Sequence, residues 1–340
     1  MNLSDLDILK VLGIGAFGRV RLARLKHPVN GIKTDDEFFA LKCISKQSLK
    51  ENGLDVVLID SNSKHIEAIE ANGLKIEGFG GNRTIRIPAT SDASELESAN
   101  ILFFQCKALD TRNASRSIRH LLHENSICIS FQNGLGNEEV IADEVGEDKV
   151  LGGLTAMAGL LLGPGRIRDF SRVPSYIGEM HGGPSERVNT IAKKLTCGGL
   201  ETHTSEDIFH DIWKKLLGNI SMSAVSGLTN LTSATIMNIP ELKSICLKAM
   251  EEAFKVAEVS GISLDREAVL HGMELISQSG GTGDNKSSLC VDLLNHRETE
   301  VDSIYGGVIK LAEEKGIGTP TLKVLHALVK GVEQNFTRDI

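Results

Sequence analysis

The chain has 340 residues, of which 41% are hydrophobic and 24% charged, with a formal net charge of −8 and no run of 18 apolar residues. These values suggest two globular domains with buried cores and no transmembrane span. The negative balance argues against a nucleic-acid or anionic-membrane surface, so neither partner is expected. The start, Met1-Asn2-Leu3-Ser4-Asp5, lacks a signal-peptide core. The six cysteines (Cys43, Cys106, Cys128, Cys197, Cys246, Cys290) show no CxxC or Cys/His ligand spacing. They read as buried thiols in a reducing, cytoplasmic compartment, with no metal site.

In chain order, the first motif is Gly13-Ile14-Gly15-Ala16-Phe17-Gly18, a G-x-G-x-x-G with two physical readings. In one, Gly13, Gly15 and Gly18 follow a strand and open a helix whose amides hold a dinucleotide's pyrophosphate. An acid is then due about 20 residues on. Asp60 lies 42 residues past Gly18, so this reading needs residues 26–50 as an insertion. In the other reading the glycines bend a β-hairpin over ATP phosphates. Together with Arg19-Val20 and Phe38-Phe39-Ala40-Leu41-Lys42, residues 6–50 resemble the first three strands of a protein-kinase small lobe, with Lys42 in the third-strand lysine position. No H-R-D-x-x-x-x-N, D-F-G or A-P-E follows, so kinase activity is not expected. Three strands alone cannot bury a core. Residues 1–50 are therefore either an adapted dinucleotide loop or a foreign segment, with the seam between Lys50 and Leu54.

From there the pattern alternates. Residues 54–60, 100–105, 126–132 and 150–157 are short apolar runs expected as buried parallel strands. Residues 63–72, 112–122 and 138–145 between them are expected as helices, and 74–76 with 84–88 as a short hairpin. Such alternation implies a parallel sheet with helical crossovers. After about residue 203 the period becomes 3.6, predicting helices over 211–228, 239–260, 288–315 and 319–334. The fold class is α/β followed by all-α, divided as 1–50, 51–206 and 207–340.

On the first of these late helices, Lys215, Asn219 and Ser223 stand at i, i+4 and i+8 and share one face. By spacing alone, that stripe and the later Ser287-Ser288 and Thr299-Glu300-Val301-Asp302 read as ordinary solvated helix faces. A set of ordered motifs changes this reading. It comprises Leu58-Ile59-Asp60, Cys106-Lys107-Ala108, Gln132-Asn133-Gly134-Leu135-Gly136, Gly163-Pro164-Gly165, Tyr176-Ile177-Gly178-Glu179 and Trp213-Lys214-Lys215-Leu216 with Asn219, then Ser287-Ser288 and Thr299 to Asp302. In this order and spacing, over about residues 54–337, the chain resembles the 2-dehydropantoate 2-reductase (ketopantoate reductase) family.

The resemblance implies a Rossmann-like nucleotide domain followed by a helical domain, 6-phosphogluconate-dehydrogenase-like, with an atypical N-terminal segment. It implies reduction of 2-dehydropantoate, or another small 2-oxo acid, to the hydroxy acid, a step of pantothenate biosynthesis. Lys215 matches the general acid, since desolvation can bring a lysine toward neutrality, while Lys214 is expected to face solvent. Glu300 matches the acid near the nicotinamide ribose and the lysine. Asn219 and Ser288 match substrate-binding positions, and Ser223 stands where the family usually has a second asparagine. Lys107 matches a lysine pointing into the same cleft, Asn133 a cofactor contact after the third strand, and Ala158 a backbone contact to the cofactor. The family's usual cofactor is NADPH. Asp60, at a strand end where an acid bonds a ribose 2′-hydroxyl and repels a 2′-phosphate, leans toward NADH. A homodimer is compatible with this reading. So is an impaired or non-enzymatic remnant, because kinase-like residues replace the family's first strand and glycine loop.

Overall fold

The computed structural model describes residues 6–15, 18–25, 39–40, 55–170 and 173–337. Strands β1 (Leu6–Gly15) and β2 (Gly18–Leu25) pair antiparallel, bringing Gly15 opposite Gly18, and β3 (Phe39–Ala40) adds to β2. Gly18 thus opens a strand, not a helix. Gly13, Gly15 and Gly18 do not form the helix-terminus cradle that a pyrophosphate requires, and of the two readings of the motif the backbone adopts the hairpin. The reason is legible after the fact. Arg19-Val20-Arg21-Leu22 alternates with period two, which suits a strand and gives a helix no apolar stripe. Lys42, Cys43 and the seam at 50–54 lie outside the described residues.

The chain then runs β4 (Leu58–Ile59), α1 (Ser63–Asn72), β5 (Leu74–Gly78), β6 (Arg83–Ile85), β7 (Ala89–Thr90), β8 (Ile101–Phe104), α2 (Thr111–Ser117), β9 (Ile127–Ser130), α3 (Asn137–Val145) and β10 (Val150–Leu154). Next come β11 (Gly159–Gly163), β12 (Arg166–Asp169), β13 (Ser175–Glu179), α4 (Glu186–Cys197) and β14 (Thr202–Thr204). The helical part follows as α5 (Ile208–Thr229), α6 (Ser233–Met237), α7 (Pro240–Val259), α8 (Arg266–Ile276), α9 (Ser288–Leu294), a π turn (Asp302–Gly306), α10 (Gly307–Glu314) and α11 (Pro320–Glu333). This is a Rossmann-like parallel-sheet part followed by a helical part, as the periodicity predicts. By its contacts the chain divides into two compact units.

The described β4–β7, β11 and β12 belong to one unit, with α1. There β11, β12, β5 and β6 form a four-stranded sheet in that order, and β4 pairs parallel with β7. Helix α1 is capped by Asn62, whose side chain accepts from the His65 amide, and it buries Ile66 and Ile69 against Ala89, Leu58, Leu74 and Ile87.

The other unit holds β8, β9 and β10, which run parallel, and β13, which pairs antiparallel with β10. Parallel neighbours need a crossover, which α2 and α3 supply. Every residue of β9 is buried, the pattern of a strand covered on both faces. In the same unit, α5 buries Trp213, Leu216, Leu217 and Ile220 in a core shared with α7 and α11. Gly227 admits α9 closely, because a Cβ there would come 2.5 Å from Leu289.

Several expectations are corrected. The strand expected over 54–60 is regular only at Leu58–Ile59. The helix expected over 288–315 is broken. Asn295 caps α9, and His296 takes a left-handed φ of 51° while the Arg297 amide reaches back to the Asp292 carbonyl, a helix-ending turn. Helices α4 and α8 and strands β11, β12 and β13 were not anticipated. Cys197 is exposed and Cys106 partly so, whereas Cys128, Cys246 and Cys290 are buried.

Candidate active site

The site lies where β9 ends, in the unit that also carries α5 and the π turn. Parallel strands expose their carboxyl edges to ligands, and here the edge is the loop Gln132-Asn133-Gly134-Leu135-Gly136. Gly134 has φ +90°, and a Cβ on it would lie 2.5 Å from the Ser303 main chain. The loop can therefore press against the π turn only with glycine there. The Leu135 amide donates to the Ser303 carbonyl oxygen at 3.0 Å. From below, the Asn137 side-chain amide donates to the Asn133 carbonyl oxygen at 2.9 Å. The Gln132 amide donates to the Thr111 hydroxyl (2.7 Å) and the Cys106 carbonyl (2.9 Å).

This scaffold aims Asn133 at two charged groups. Lys215 Nζ donates to Asn133 Oδ1 at 2.8 Å, and Asn133 Nδ2 donates to Glu300 Oε2 at 3.0 Å. The amide can face only one way, because an ammonium only donates and a carboxylate only accepts. Burial pulls the Lys215 pKa down to about 8, against the opposing pull of the Glu300 carboxylate. Lys214, one residue earlier on α5, is exposed, as expected. Helix α5 starts at the Asp207 cap, whose side chain accepts from the His210 amide. Glu300 is held through its neighbour: the Thr299 amide and hydroxyl both donate to Glu333 Oε1 of α11, at 2.8 and 2.7 Å.

The substrate-side residues gather on the same unit. Asn219 is half-buried one turn after Lys215. It lines a narrow cleft with Asn133, Gly134, Gly153, Leu154 and Lys215. Ser223 is buried one further turn along. Ser288 is exposed at the head of α9, whose cap Ser287 donates its hydroxyl to the Ser223 carbonyl oxygen at 3.2 Å. Lys107 is ion-paired with the buried Asp292, which also meets Arg297 at 3.2 Å. The remaining expected residues belong to the other unit. Asp60 is exposed at the end of β4, where its carboxylate accepts from the Asn62 amide at 2.8 Å. Ala158 is exposed, and its carbonyl accepts from the Phe170 amide at 2.9 Å.

Asp292, Asn137 and Thr111 were missed as participants. Asn137 follows directly on the Gln132–Gly136 motif and Asp292 comes four residues after Ser288, so both were within reach of a closer reading. Thr111 carried no signal.

Residues 43–182 match the family model described as ketopantoate reductase PanE/ApbA, and residues 207–333 match its C-terminal model. A 2-dehydropantoate 2-reductase of Pyrococcus abyssi is 30% identical over 84% of this chain and 92% of its own length. That of Halobacterium salinarum is 28% identical over 81% of this chain and 90% of its own. Among solved structures, D-mandelate dehydrogenase with NADH and anilino(oxo)acetate superposes with a TM-score of 0.81 at 25% identity, covering 86% of this chain and 94% of that one. A PanE/ApbA family ketopantoate reductase from Ralstonia eutropha JMP134 gives a TM-score of 0.78 at 26% identity, over 86% and 94%.

Proposed function

The chain belongs to the ketopantoate reductase family PanE/ApbA, and from that premise we propose that it reduces a small 2-oxo acid, 2-dehydropantoate first, with Lys215 as proton donor. The observation that carries the proposal is the Lys215–Asn133–Glu300 chain with its half-buried ammonium. A pKa of about 8 keeps Lys215 protonated at neutral pH yet lowers the barrier to giving the proton up, which is what a general acid needs. Asn133 fixes the ammonium's direction, and Glu300 steadies its charge through that amide. Asn219 and Ser223 offer donors to the substrate's oxygens along one face of α5, with Ser288 adding a hydroxyl from α9. The serine at 223 reaches less far than an asparagine, so it leaves room for a bulkier 2-oxo acid.

A reduced nicotinamide, when bound, supplies the hydride. Its nicotinamide–ribose end fits this chain: Asn133 and Glu300 stand at the carboxyl edge of the parallel strands, where an amide and a diol find a donor and an acceptor. Lys107 and Ala158 are proposed as cofactor contacts from the family resemblance alone. We assign Asp60 to the adenosine ribose. NADPH is the family expectation. The acid at Asp60 and the structural likeness to a dehydrogenase holding NADH support NADH as the alternative. The pyrophosphate end does not fit at Gly13, Gly15 and Gly18, whose backbone is a hairpin, and no step is assigned to them. Residues 51–206 are taken as the dinucleotide-binding domain and 207–340 as the substrate domain. No described helix is long and apolar enough to cross a membrane, and a cytoplasmic setting is proposed from the family reading alone. We leave a homodimer as a proposal for solution scattering.

The test is a spectrophotometric assay with 2-dehydropantoate and either NADPH or NADH. Loss of the reduced-nicotinamide absorbance is expected, and a folded protein with no turnover on either cofactor would refute the reading. The hairpin favours one rival, an impaired reductase that binds cofactor poorly. Calorimetric titration separates the two, since micromolar binding of either nucleotide is expected of the enzyme and absent from the remnant.

A further inference from the structure

We infer that Tyr305 is a positioning residue for the substrate face of α5, a step that rests on the proposed reading of that helix. The Tyr305 side chain is fully buried in the helical core. A hydroxyl there must find partners, and both of its partners are main-chain groups of α5. It donates to the Ile220 carbonyl oxygen at 2.7 Å and accepts from the Ala224 amide at 3.1 Å.

Residues 220 and 224 are an i, i+4 pair, the pair that an undisturbed helix joins directly. The phenol is seated at that rung of the ladder. A side chain inserted there is one of the few recognised causes of a helix bend. The rung's position matters, since Lys215 and Asn219 come before it and Ser223 lies beyond Ile220. The hydroxyl thus sets how the two halves of the substrate face stand to each other.

The other end of Tyr305 is equally placed. It belongs to the π turn Asp302–Gly306, which begins two residues after Glu300. Ser303 of that turn carries the Asn133 loop on its carbonyl oxygen. Single π turns are rare and recur at functional sites. One side chain therefore ties the main chain of α5 to the turn that holds both Glu300 and the Asn133 loop. A phenylalanine would fill the same space without the polar atom. The Ile220 carbonyl and Ala224 amide would then lose the phenol as a partner, and Ser223 would shift against Asn219.

The test is Tyr305→Phe in the full chain. The KM for 2-dehydropantoate rises about tenfold, the scale of a sub-ångström misplacement. The pH at which activity falls on the alkaline side stays at its wild-type value, because Lys215 precedes the rung on α5. Amide hydrogen exchange over residues 219–225 changes as the Ala224 amide loses its phenol acceptor. An unchanged KM in an active wild-type background, or unchanged exchange, overturns the inference. A wild type without turnover would instead count against the proposed function, and the exchange comparison would still decide the rung. Should the variant not fold, labelling with 3-fluorotyrosine serves. The chain has two tyrosines, Tyr305 buried and Tyr176 37% exposed. The buried fluorine signal, assigned with Tyr176→Phe, shifts when substrate binds, and a buried signal that stays still overturns the inference.

Discussion

Burial lowers the Lys215 pKa to about 8, so below that value the side chain is an ammonium able to donate and above it the donor is spent. Reductase activity should accordingly fall as pH rises through about 8, measured as kcat in buffers of constant ionic strength. Asn133 Oδ1 accepts from the charged form and so favours it. Asn133→Leu should therefore move that alkaline limb to lower pH as well as lower kcat. The same pKa has a stability signature. Folding takes Lys215 from 10.5 to about 8, so between those values the unfolded chain binds more protons and stability rises with pH. Below about 8 both states are protonated and the slope vanishes. Lys215→Met should lose that rise, on the order of 3 kcal/mol across the window, seen as denaturation midpoints at pH 8 and 10.5 that differ less than in the wild type. It should also lower kcat by roughly a thousandfold.

At the scale of elements, the site is assembled by contacts between main chains. Gly134 is where the β9 loop meets the π turn, and the meeting leaves no space for a methyl group. Gly134→Ala adds both a clash and an unfavourable positive φ, and should destabilise by about 2 kcal/mol or more. For a chain of this size that is a fall in Tm of roughly 3 °C. Activity should suffer beyond what the lost stability explains, since Asn133 is displaced with the loop. Glu333 of α11 has a comparable part on the other side, because it is the acceptor for both donors of Thr299.

At the scale of the whole molecule, the described strands of the first forty residues pair only with one another. The family match begins at residue 43, and the described strands before it form a sheet of their own, in order β1-β2-β3. A chain starting at residue 43 is therefore expected to keep the helical circular dichroism of the full chain and to melt within a few degrees of it. A fall of more than roughly 10 °C would show that the hairpin stabilises the rest.

Much of this was determined by the sequence alone. Helix α1 was legible over 63–72, because its apolar pair, Ile66 and Ile69, is a local signal. The change from alternating strands and helices to a helical part was legible for the same reason: periodicity reports which face a segment buries. The exposure of Lys214 beside a half-buried Lys215 was expected from the family resemblance, since by spacing alone the stripe read as a solvated face. Ordered motifs identified the family. What remained needed the tertiary structure, because it depends on partners remote along the chain. Asn133 meets Lys215 from 82 residues away and Glu300 from 167, and Lys107 meets Asp292 across 185. No local pattern encodes such meetings, nor the burial that lowers the Lys215 pKa against the pull of Glu300. The glycine motif was undecided for a related reason. G-x-G-x-x-G states where the chain can turn, and only the pairing of β1 with β2 decided that the turn joins two strands.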